Sequence, residues 1–445
     1  MKFAKHMLVA ATAVALGLPA AVFATNGYAP HGVGQKSKGM GGVGVAFPQD
    51  SLVGGINPAG MVLLGENRLD VGVEWFRPIR SADIMGVDAL FGTPPGFFDG
   101  HYDGSEKKNF FIPEFGLNYM LGSDMAVGVS VFGTGGMNTD YTTPIPLFGL
   151  SEAGIDLAQL FIVPSFSMKL TPNHSVGVGL NLAYQRFKAK GLENFVPFTA
   201  INMTSPVLTN FTTNNGYSDS TGVGLRVGWI GQLTPTISVG ATYQTRTYMS
   251  EFSKYKGLFA ERGDFDIPSN WALGIAGKLT PKTTLALDFM RINYNEVASI
   301  GNPLLPNFAL CGPASPVSSP EFCLGGDAGP GFGWQNVNVF KLGVAHELTP
   351  NLVLRAGWAH NSQPINNTET MFNMLAPGVV QDHLTLGATW SLGSSGELTF
   401  AYMHAFKKTI NGSGSLAFFG IPPGVAEVDI DMYQDSLGVS YGLKF

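Results

Sequence analysis

The stretch Ser436-Leu437-Gly438-Val439-Ser440-Tyr441-Gly442-Leu443-Lys444-Phe445 alternates large apolar residues with small or polar ones. Period-two alternation places the two kinds of residue on opposite faces of a β-strand. A soluble domain more often ends in a polar tail, whereas an apolar face with an aromatic residue at its end is typical of a lipid-facing barrel strand. The stretch therefore predicts a transmembrane β-strand. Its terminal Phe445 also resembles the signal that the outer-membrane insertion machinery recognises, so we expect that machinery as a partner.

The rest of the chain repeats this pattern between regularly placed turns. Leu-Thr-Pro occurs four times, at 170–172, 233–235, 279–281 and 348–350, each time between two alternating runs. Proline favours a tight turn and cannot continue a hydrogen-bonded ladder. Two more short turns fit the series, at 121–124 and 393–396. Long polar or Pro/Gly-rich segments alternate with these short turns, which is the loop asymmetry of an outer-membrane barrel.

Six short turns join twelve strands, and a first and a last strand complete the set. We therefore predict an all-β fold, a fourteen-stranded antiparallel transmembrane β-barrel over residues 67–445. The predicted strands start near Asn67, Asn109, Asp124, Ala158, Ser175, Ser218, Thr236, Ser269, Thr283, Asn336, Leu352, Gln381, Glu397 and Asp429. An even strand number is what a single-chain bacterial barrel requires.

Composition supports export to a membrane. Residues 1–24 have a basic start, an apolar centre and a small-residue end, which predicts a secretory signal peptide. Without Lys2 and Lys5, 24 basic residues face 32 acidic ones, a net charge of −8, which argues against nucleic acid as a partner. After the signal, no apolar run is long enough for a transmembrane helix. The alternative, a large soluble β-protein, explains neither the signal nor the loop asymmetry.

Residues 25–66, which we call the hatch segment, lack strand alternation and contain six glycines between Gly32 and Gly44. A disordered tail is one interpretation, but Val43, Phe47, Leu52 and Ile56 make the segment too apolar for one. The interpretation we favour is a plug folded inside the lumen, because a barrel of fourteen strands is wide enough to leak.

The motifs in this segment resemble those of a known family. Asn26-Gly27-Tyr28, the run from Gly32 to Gly42 and Asn57-Pro58-Ala59-Gly60-Met61 are similar to the amino-terminal region of the FadL/TodX family of outer-membrane transporters of hydrophobic compounds. The resemblance implies a fourteen-stranded barrel, a hatch that carries Asn57, Pro58 and Ala59, and uptake of long-chain fatty acids or aromatic hydrocarbons. We also expect residence in the Gram-negative outer membrane, contact with its lipid, and a monomer.

Charges on the strands offer a site for an anionic head group. Seven charged side chains on the strands are predicted to face the lumen: Glu114, Arg186, Lys188, Arg226, Asp288, Lys341 and Arg355. Most are expected to pair with one another or with the hatch segment, but a fatty-acid carboxylate needs a cation at the end of an apolar pocket. Arg186 is the predicted head-group residue, because Tyr184-Gln185-Arg186 resembles the part of strand 5 where the family places an arginine. Lys341 is the second candidate.

Two long loops are too apolar for plain solvent-exposed loops. The third, 189–217, contains Phe195, Phe198 and Phe211, and the fourth contains Phe252, Leu258 and Phe259. Exposed apolar patches usually bind something. We predict a ligand groove between these loops, with packing of the loops against each other as the alternative.

Three strand breakers are predicted to lie at one height around strand 3: Pro113, the run Gly133-Thr134-Gly135-Gly136, and Pro164. Proline and glycine weaken a ladder. These residues therefore predict a lateral opening, with Asn57-Pro58-Ala59 capping it from inside. Three harmless irregularities are the alternative interpretation.

The two cysteines, Cys311 and Cys323, are predicted to form a disulfide in an extracellular loop, with a metal site as the less favoured alternative. The histidines lack metal-ligand spacing, and no catalytic or nucleotide-binding motif stands out. We therefore expect no metal, no cofactor and no enzymatic activity. The predicted function is passive transport of hydrophobic molecules, with long-chain fatty acids as the expected substrate and aromatic hydrocarbons as the alternative. A diffusion porin for polar solutes, an adhesin and a barrel enzyme are the other classes considered.

Overall fold

The structure, a computed structural model, describes residues 25–205, 207–311, 319–417 and 420–445. The predicted signal peptide at 1–24 lies outside these residues. The described chain forms a closed antiparallel barrel of fourteen strands, which confirms the predicted fold. The strands are β1 Arg68–Met85, β2 Phe110–Met120, β3 Met125–Pro144, β4 Glu152–Thr171, β5 His174–Lys190, β6 Ser218–Thr234, β7 Ile237–Gln244, β8 Asn270–Thr280, β9 Thr283–Ile292, β10 Val337–Thr349, β11 Leu352–Asn361, β12 Asp382–Leu392, β13 Gly396–Ile410 and β14 Glu427–Lys444.

Each strand pairs with its neighbours in sequence, and β14 closes the barrel on β1 from Arg68↔Lys444 to Met85↔Glu427. Two short strands, Gly100–Asp103 and Tyr248–Met249, pair with β1 and β6 outside this ring. Thirteen strand starts lie within two residues of the prediction. The fourth strand begins at Glu152 rather than near Ala158, because residues 153–159 are buried on both faces and therefore show no alternation.

Helical turns occur in the hatch segment and the long loops. The α-helical turns are Gln35–Lys38, Val87–Phe91, Ala200–Met203, Ala260–Gly263, Ala298–Gly301 and Thr370–Asn373. The 3-10 turns are Ser51–Gly55, Pro58–Leu63, Glu193–Phe198, Ser253–Tyr255, Tyr294–Glu296, Asn307–Leu310, Pro320–Phe322 and Asn367–Glu369. Within the described ranges, no helix has the length and apolar character needed to cross a bilayer.

The hatch segment lies against the inner face of the wall. Its contacts depend on inward-facing glycines, since a Cβ on Gly228 would overlap the Asn57 side chain and a Cβ on Gly177 would overlap the Pro58 backbone. On the opposite strands, a Cβ on Gly357 would overlap Gly41 in the same way. Glycine at these strand positions therefore allows the backbone of the hatch segment to approach the wall closely.

Asn57 organises the part of the hatch segment that carries the Asn-Pro-Ala motif. Its side-chain oxygen accepts from the N–H of Ala59 at 3.1 Å, which caps the turn Pro58–Leu63, and Pro58 occupies the first turn position, where no N–H is needed. Its amide nitrogen donates to the carbonyl of Val45 at 2.8 Å and to that of Trp229 on β6 at 3.1 Å. One amide thus joins two parts of the hatch segment to the wall.

The wall is interrupted between β2 and β3. Their ladder runs from Met120↔Ala126 to Phe115↔Val131 and then stops, although both strands continue. In the same register Pro113 would face Gly133. On its other edge β3 stays paired with β4, with a register shift between Gly133 and Gly135. The break therefore lies at the level of Pro113 and Gly133 to Gly136, next to the expected strand.

Two details of the predicted opening are wrong. Pro164 pairs with Val129, four residues below Gly133 on β3, and it interrupts the β4–β5 ladder rather than the β2–β3 ladder. Counting residues from separate turns missed this difference, because neighbouring strands are staggered in a tilted barrel. Asn57, Pro58 and Ala59 do not cap the break, since they pack on β5 and β6. The carbonyl of Tyr28 does so instead, because it accepts from the N–H of Gly136 at 3.2 Å.

Replacing Gly228 by valine tests whether the hatch segment obstructs the lumen. The new side chain would occupy the place of the Asn57 oxygen, so we expect a displaced hatch segment, an intact ladder and a raised single-channel conductance in planar bilayers. Gly277→Val is the control, because a Cβ on Gly277 would have no neighbouring atom closer than 3.9 Å. Heat-modifiable gel mobility shows whether the Gly228→Val protein is folded. Unchanged conductance in the folded protein would contradict the interpretation that the hatch segment plugs the lumen.

Candidate functional site

An apolar cavity lies inside the barrel between the hatch segment and strands β3 and β6 to β10, and it encloses about 90 Å³. It reaches the break in the wall at Phe132 and Thr134 of β3. The lining consists of Tyr28, Ala29, Pro30, Gly32, Val33, Gly42, Val45, Gly55, Ile56, Phe132, Thr134, Arg226, Thr242, Gln244, Ile267, Pro268, Asn270, Ala272, Asp288, Met290, Ile292, Tyr294 and Lys341. We call this space the lumenal cavity.

Arg226 is the notable charge in this lining. Its side chain is buried, with 5% exposed, and it donates to the carbonyl of Ile56 at 3.3 Å and to the side-chain oxygen of Gln244. Its Nε atom has no hydrogen-bond partner, and no carboxylate among the described residues lies within ion-pair distance. A buried cation without an anion is costly. The site can therefore offer a guanidinium to a negatively charged ligand group.

Lys341 and Asp288, which also line the cavity, are already engaged. The Lys341 ammonium donates to the carbonyls of His31 at 2.9 Å and Gly42 at 3.2 Å. The Asp288 carboxylate accepts from the N–H groups of Gly44 at 2.8 Å and Val45 at 3.1 Å. Both charges thus hold the hatch segment to β9 and β10. Lys341 borders the cavity as expected, but it has to exchange a carbonyl partner before it can bind a ligand.

Arg186 is not a lumenal residue, which corrects the sequence prediction. The inward face of β5 carries the odd-numbered residues, such as Gln185 and Phe187, so Arg186 lies on the outer face with Tyr184. Its guanidinium lies over the ring of Tyr217, 4.5 Å from the ring centroid, where Lys188 also approaches. The alternation that identified the strand already placed Arg186 on the same face as the lipid-facing residues. A head-group role inside the lumen is therefore excluded for this arginine.

A buried ionic cluster anchors the helical turn of the hatch segment. The Lys38 ammonium contacts Glu74 on β1 at 2.5 Å and Glu114 on β2 at 3.3 Å. Burial alone would lower the pKa of Lys38, but the charges and hydrogen bonds of the two carboxylates outweigh burial and raise it above its ordinary value. Glu114 directly precedes Phe115, the last β2 residue paired with β3. The cluster thus holds the β2 edge of the break.

Aromatic residues from distant loops surround Tyr28 above the cavity. The Tyr28 ring lies 5.1 Å from Tyr294, 5.9 Å from Trp334 and 6.2 Å from Phe265. The Tyr294 hydroxyl donates to the carbonyl of Asn26 at 2.5 Å. Sequence reasoning missed this cluster, because its members lie in loops without periodicity and only the fold brings them together.

The residues predicted to form a groove between the third and fourth long loops are packed against one another instead. The rings of Phe252 and Phe259 are buried around Phe187, at 5.6 and 4.7 Å, and Leu258 is also buried. Phe211 packs on the fourth loop, where the Lys256 ammonium lies 4.0 Å from its ring centroid. These residues fit the alternative interpretation, in which the third and fourth loops pack against each other. Phe252, Leu258 and Phe259 of the fourth loop therefore face inward.

Phe195 and Phe198 border a different groove, open to the outside. It holds about 610 Å³ and lies between the first, second, third and fifth long loops. Cys311 lies at its edge and forms a disulfide with Cys323. Within the described ranges, no group of three or more His, Cys, Asp or Glu side chains could hold a metal ion.

Comparison with solved structures reveals the same architecture. A toluene transporter, TodX, from P. putida matches with a TM-score of 0.65 at 15% identity, over 93% of this chain and 99% of its own. A FadL homologue from Pseudomonas aeruginosa matches with a TM-score of 0.67 at 15% identity, over 94% of this chain and 100% of its own. The toluene transporter TbuX from Ralstonia pickettii matches with a TM-score of 0.64 at 16% identity, over 93% of this chain and 99% of its own. No curated protein matches the sequence.

A closed fourteen-stranded antiparallel barrel with a segment folded against its inner wall is the architecture of an outer-membrane β-barrel protein. The family model of the outer membrane protein transport proteins (OMPP1/FadL/TodX) matches residues 11–417, and the chain belongs to this family. The predicted family and outer-membrane location are thereby confirmed, and membership of a transport family supports a role without catalysis.

Removing the cation of the ionic cluster should loosen the hatch segment. Lys38→Met leaves Glu74 and Glu114 buried without a counter-charge, which costs about 3–5 kcal/mol when one partner of a buried pair is lost. We expect a lower midpoint for heat-induced loss of the fast-migrating folded form. The triple variant Lys38→Met/Glu74→Gln/Glu114→Gln removes the unpaired charges and should recover most of the loss. A triple variant no more stable than Lys38→Met would show that charge burial is not the cause.

Proposed function

We propose that this protein is a passive channel through which hydrophobic molecules cross the outer-membrane barrier. The observation that carries the proposal is the position of the lumenal cavity, which is apolar, lies beside the hatch segment and borders the break between β2 and β3. A diffusion porin for polar solutes needs an open, water-filled lumen. The close contacts between the hatch segment and the inward glycines argue against that alternative.

Exit through the side of the barrel follows from the chemistry of the cargo. Each methylene group that moves from an apolar site into water costs about 0.8 kcal/mol. A ligand that leaves between β2 and β3 enters the lipid without this cost. Thr134 lies at the register shift of β3 and lines the cavity. A ligand in the cavity would therefore be separated from the break by this one side chain.

Entry of a ligand requires part of the hatch segment to move, because the cavity is too small. The cavity encloses about 90 Å³, less than the roughly 150 Å³ that holds benzene in an engineered cavity. Tyr28 lines the cavity with its ring and closes the break with its carbonyl. A ligand that displaces Tyr28 to gain space would therefore also release the N–H of Gly136. Filling the cavity and opening the wall are thus coupled through one residue.

We infer that the cargo carries a carboxylate, and we propose long-chain fatty acids as its class. The support is Arg226, a buried guanidinium in a mainly apolar lining, which has no acidic partner within ion-pair distance among the described residues. A carboxylate head group would satisfy its Nε while the alkyl chain occupies the apolar lining. Aromatic hydrocarbons are the second candidate, since aromatic rings surround Tyr28 and two of the similar structures are toluene transporters.

Substitution of Arg226 separates the two candidates. Arg226→Gln should weaken binding of a long-chain fatty acid by about 1.5–3 kcal/mol, or about 10- to 150-fold in Kd, the value of a hydrogen bond to a charged group. Binding of toluene should stay within about twofold, because no charge is involved. Arg355→Gln is the control, because Arg355 is equally buried but binds Gln49 and Thr389 away from the cavity. Equal losses for both ligands in Arg226→Gln would reject the carboxylate assignment.

A tryptophan on the lipid side of the break tests the exit. Pro113→Trp places a large ring opposite the glycines of β3 and leaves the cavity lining unchanged, so we expect uptake to fall at least about tenfold, equivalent to about 1.4 kcal/mol. Equilibrium binding should be unaffected. Val73→Trp is the matched control, because Val73 lies at the same height on β1, one strand farther from the break than Pro113. Parental uptake by folded Pro113→Trp would mean that the ligand leaves elsewhere.

A further inference from the structure

A groove lies on the lipid-facing side of the barrel wall at β8 to β11, and we call it the wall groove. It holds about 570 Å³. Its side chains point outward, because residues that alternate with them along the strands, such as Ala272 and Met290, line the lumenal cavity. Most of the lining consists of large apolar side chains, among them Leu273, Ile275, Leu287, Phe289, Phe340 and Trp358. The wall groove therefore fits hydrocarbon chains.

The floor of the wall groove is the part of the wall that holds the hatch segment. Asp288 and Lys341 border both the wall groove and the lumenal cavity, and their side chains bind the backbone of the hatch segment on the inner side. A Cβ on Gly274, which also borders the wall groove, would lie 2.8 Å from the Cβ of Val45. A single layer of strands thus separates a molecule in the wall groove from the hatch segment.

Arg291 lies at the outer end of the wall groove. It is the next outward residue of β9 after Phe289, and β9 ends one residue later at Ile292. Its cross-strand neighbours are Trp271 on β8 and Asn338 on β10, and its guanidinium donates to the side-chain oxygen of Asn338 at 3.0 Å. Trp271 packs 5.4 Å from Phe289, in the place of an interfacial aromatic residue. A cation therefore lies at the head-group level, next to the apolar lining.

Arg291 differs from the other two arginines that face outward on the strands. In the ladder, Arg77 on β1 lies opposite Asp435, and Arg186 on β5 lies opposite Asp219. Arg291 has no acidic residue opposite it on either neighbouring strand, and no carboxylate in the described ranges comes within ion-pair distance of it. Its charge is therefore available to an anionic group from the membrane.

A lipid that carries a phosphate fits both parts of this site. The planar guanidinium forms paired hydrogen bonds with phosphate oxygens, and the apolar lining beside it accepts acyl chains. Because the wall groove faces the bilayer, membrane lipid surrounds it continuously, whereas a transported molecule passes through only at low concentration. Membrane lipid is therefore the occupant that the position of the groove favours.

We propose that the wall groove and Arg291 bind one phosphate-bearing acyl lipid of the outer leaflet. Its chains lie against Leu287 and Phe340, and its phosphate accepts hydrogen bonds from Arg291. The site is on the outside of the barrel, away from the break between β2 and β3. The inference is therefore independent of the proposed function.

Two lipids that differ only in the phosphate test the role of Arg291. In native mass spectrometry of the purified protein, dihexadecanoyl phosphatidic acid should bind at least about tenfold more tightly than dihexadecanoylglycerol, as expected for a hydrogen bond to a charged group. Arg291→Gln should abolish this preference and leave binding of dihexadecanoylglycerol unchanged. Arg77→Gln is the matched control, because Arg77 faces outward on β1, away from the wall groove, and it should keep the preference. No preference in the parental protein, or the same loss in both variants, overturns the proposal.

Filling the wall groove tests the place of the acyl chains. Leu287→Trp should reduce the binding of both lipids, because the indole occupies the space of the chains. Leu225→Trp is the control, since Leu225 faces lipid on β6 and is 47% exposed, against 46% for Leu287. Heat-modifiable gel mobility shows whether both variants are folded. A folded Leu287→Trp protein that binds both lipids like the parental protein would place the chains elsewhere and overturn the proposal.

Labelling in the membrane identifies the occupant without any substitution. In outer-membrane vesicles, phosphatidic acid with a diazirine in one acyl chain should label peptides that contain Phe289 or Phe340 more strongly than the peptide that contains Leu225. Excess phosphatidic acid should suppress this difference, and the same concentration of hexadecanoate should not. Uniform labelling around the barrel would mean that the wall groove has no preferred lipid. Suppression by hexadecanoate would mean that a fatty acid occupies it, and either result overturns the proposal.

Discussion

The hydrocarbon region of a membrane does not tolerate unsatisfied backbone groups, and this constraint governs the break between β2 and β3. Beyond Phe115↔Val131 the two strands no longer bond to each other. Other groups take over: the carbonyl of Tyr28 accepts from Gly136, and higher up the carbonyl of Gly104 accepts from the N–H of Asp140 at 3.0 Å. The break in the ladder is tolerated because the hatch segment and the first long loop supply these partners.

A buried arginine completes the upper edge of the break. Arg80 of β1 is 1% exposed and donates to the carbonyls of Gly104 at 3.0 Å and Lys107 at 2.7 Å and to the side chain of Asn138 on β3 at 3.3 Å. One side chain thereby connects β1, the first long loop and β3 across the missing ladder. Together with the ionic cluster of Lys38 below, it limits the break to a defined length of wall, which explains how the fold tolerates a missing stretch of ladder.

Buried charges serve two different purposes inside the barrel. Lys38, Lys341 and Asp288 are satisfied by partners in the protein, so they fasten the hatch segment to the wall. Arg226 has polar partners but no acid within reach among the described residues. The contrast separates three charges that maintain structure from Arg226, the charge to which we assign the ligand. Their positions in the sequence do not distinguish them, because all four are buried inside the same barrel.

The sequence by itself determined the barrel, its fourteen strands and the family, because alternation, short turns and the motifs around Asn57 are local patterns. It could not determine what depends on the stagger of strands or on packing between loops. Pro164 proved to lie below the break, and the inward turn of Phe252 and Phe259 became visible only in three dimensions. The outward position of Arg186 could have been predicted from the alternation within β5. The lack of an acidic partner for Arg226 and the cap formed by Tyr28 could not. Both depend on contacts between residues far apart in the chain, which tertiary structure alone decides.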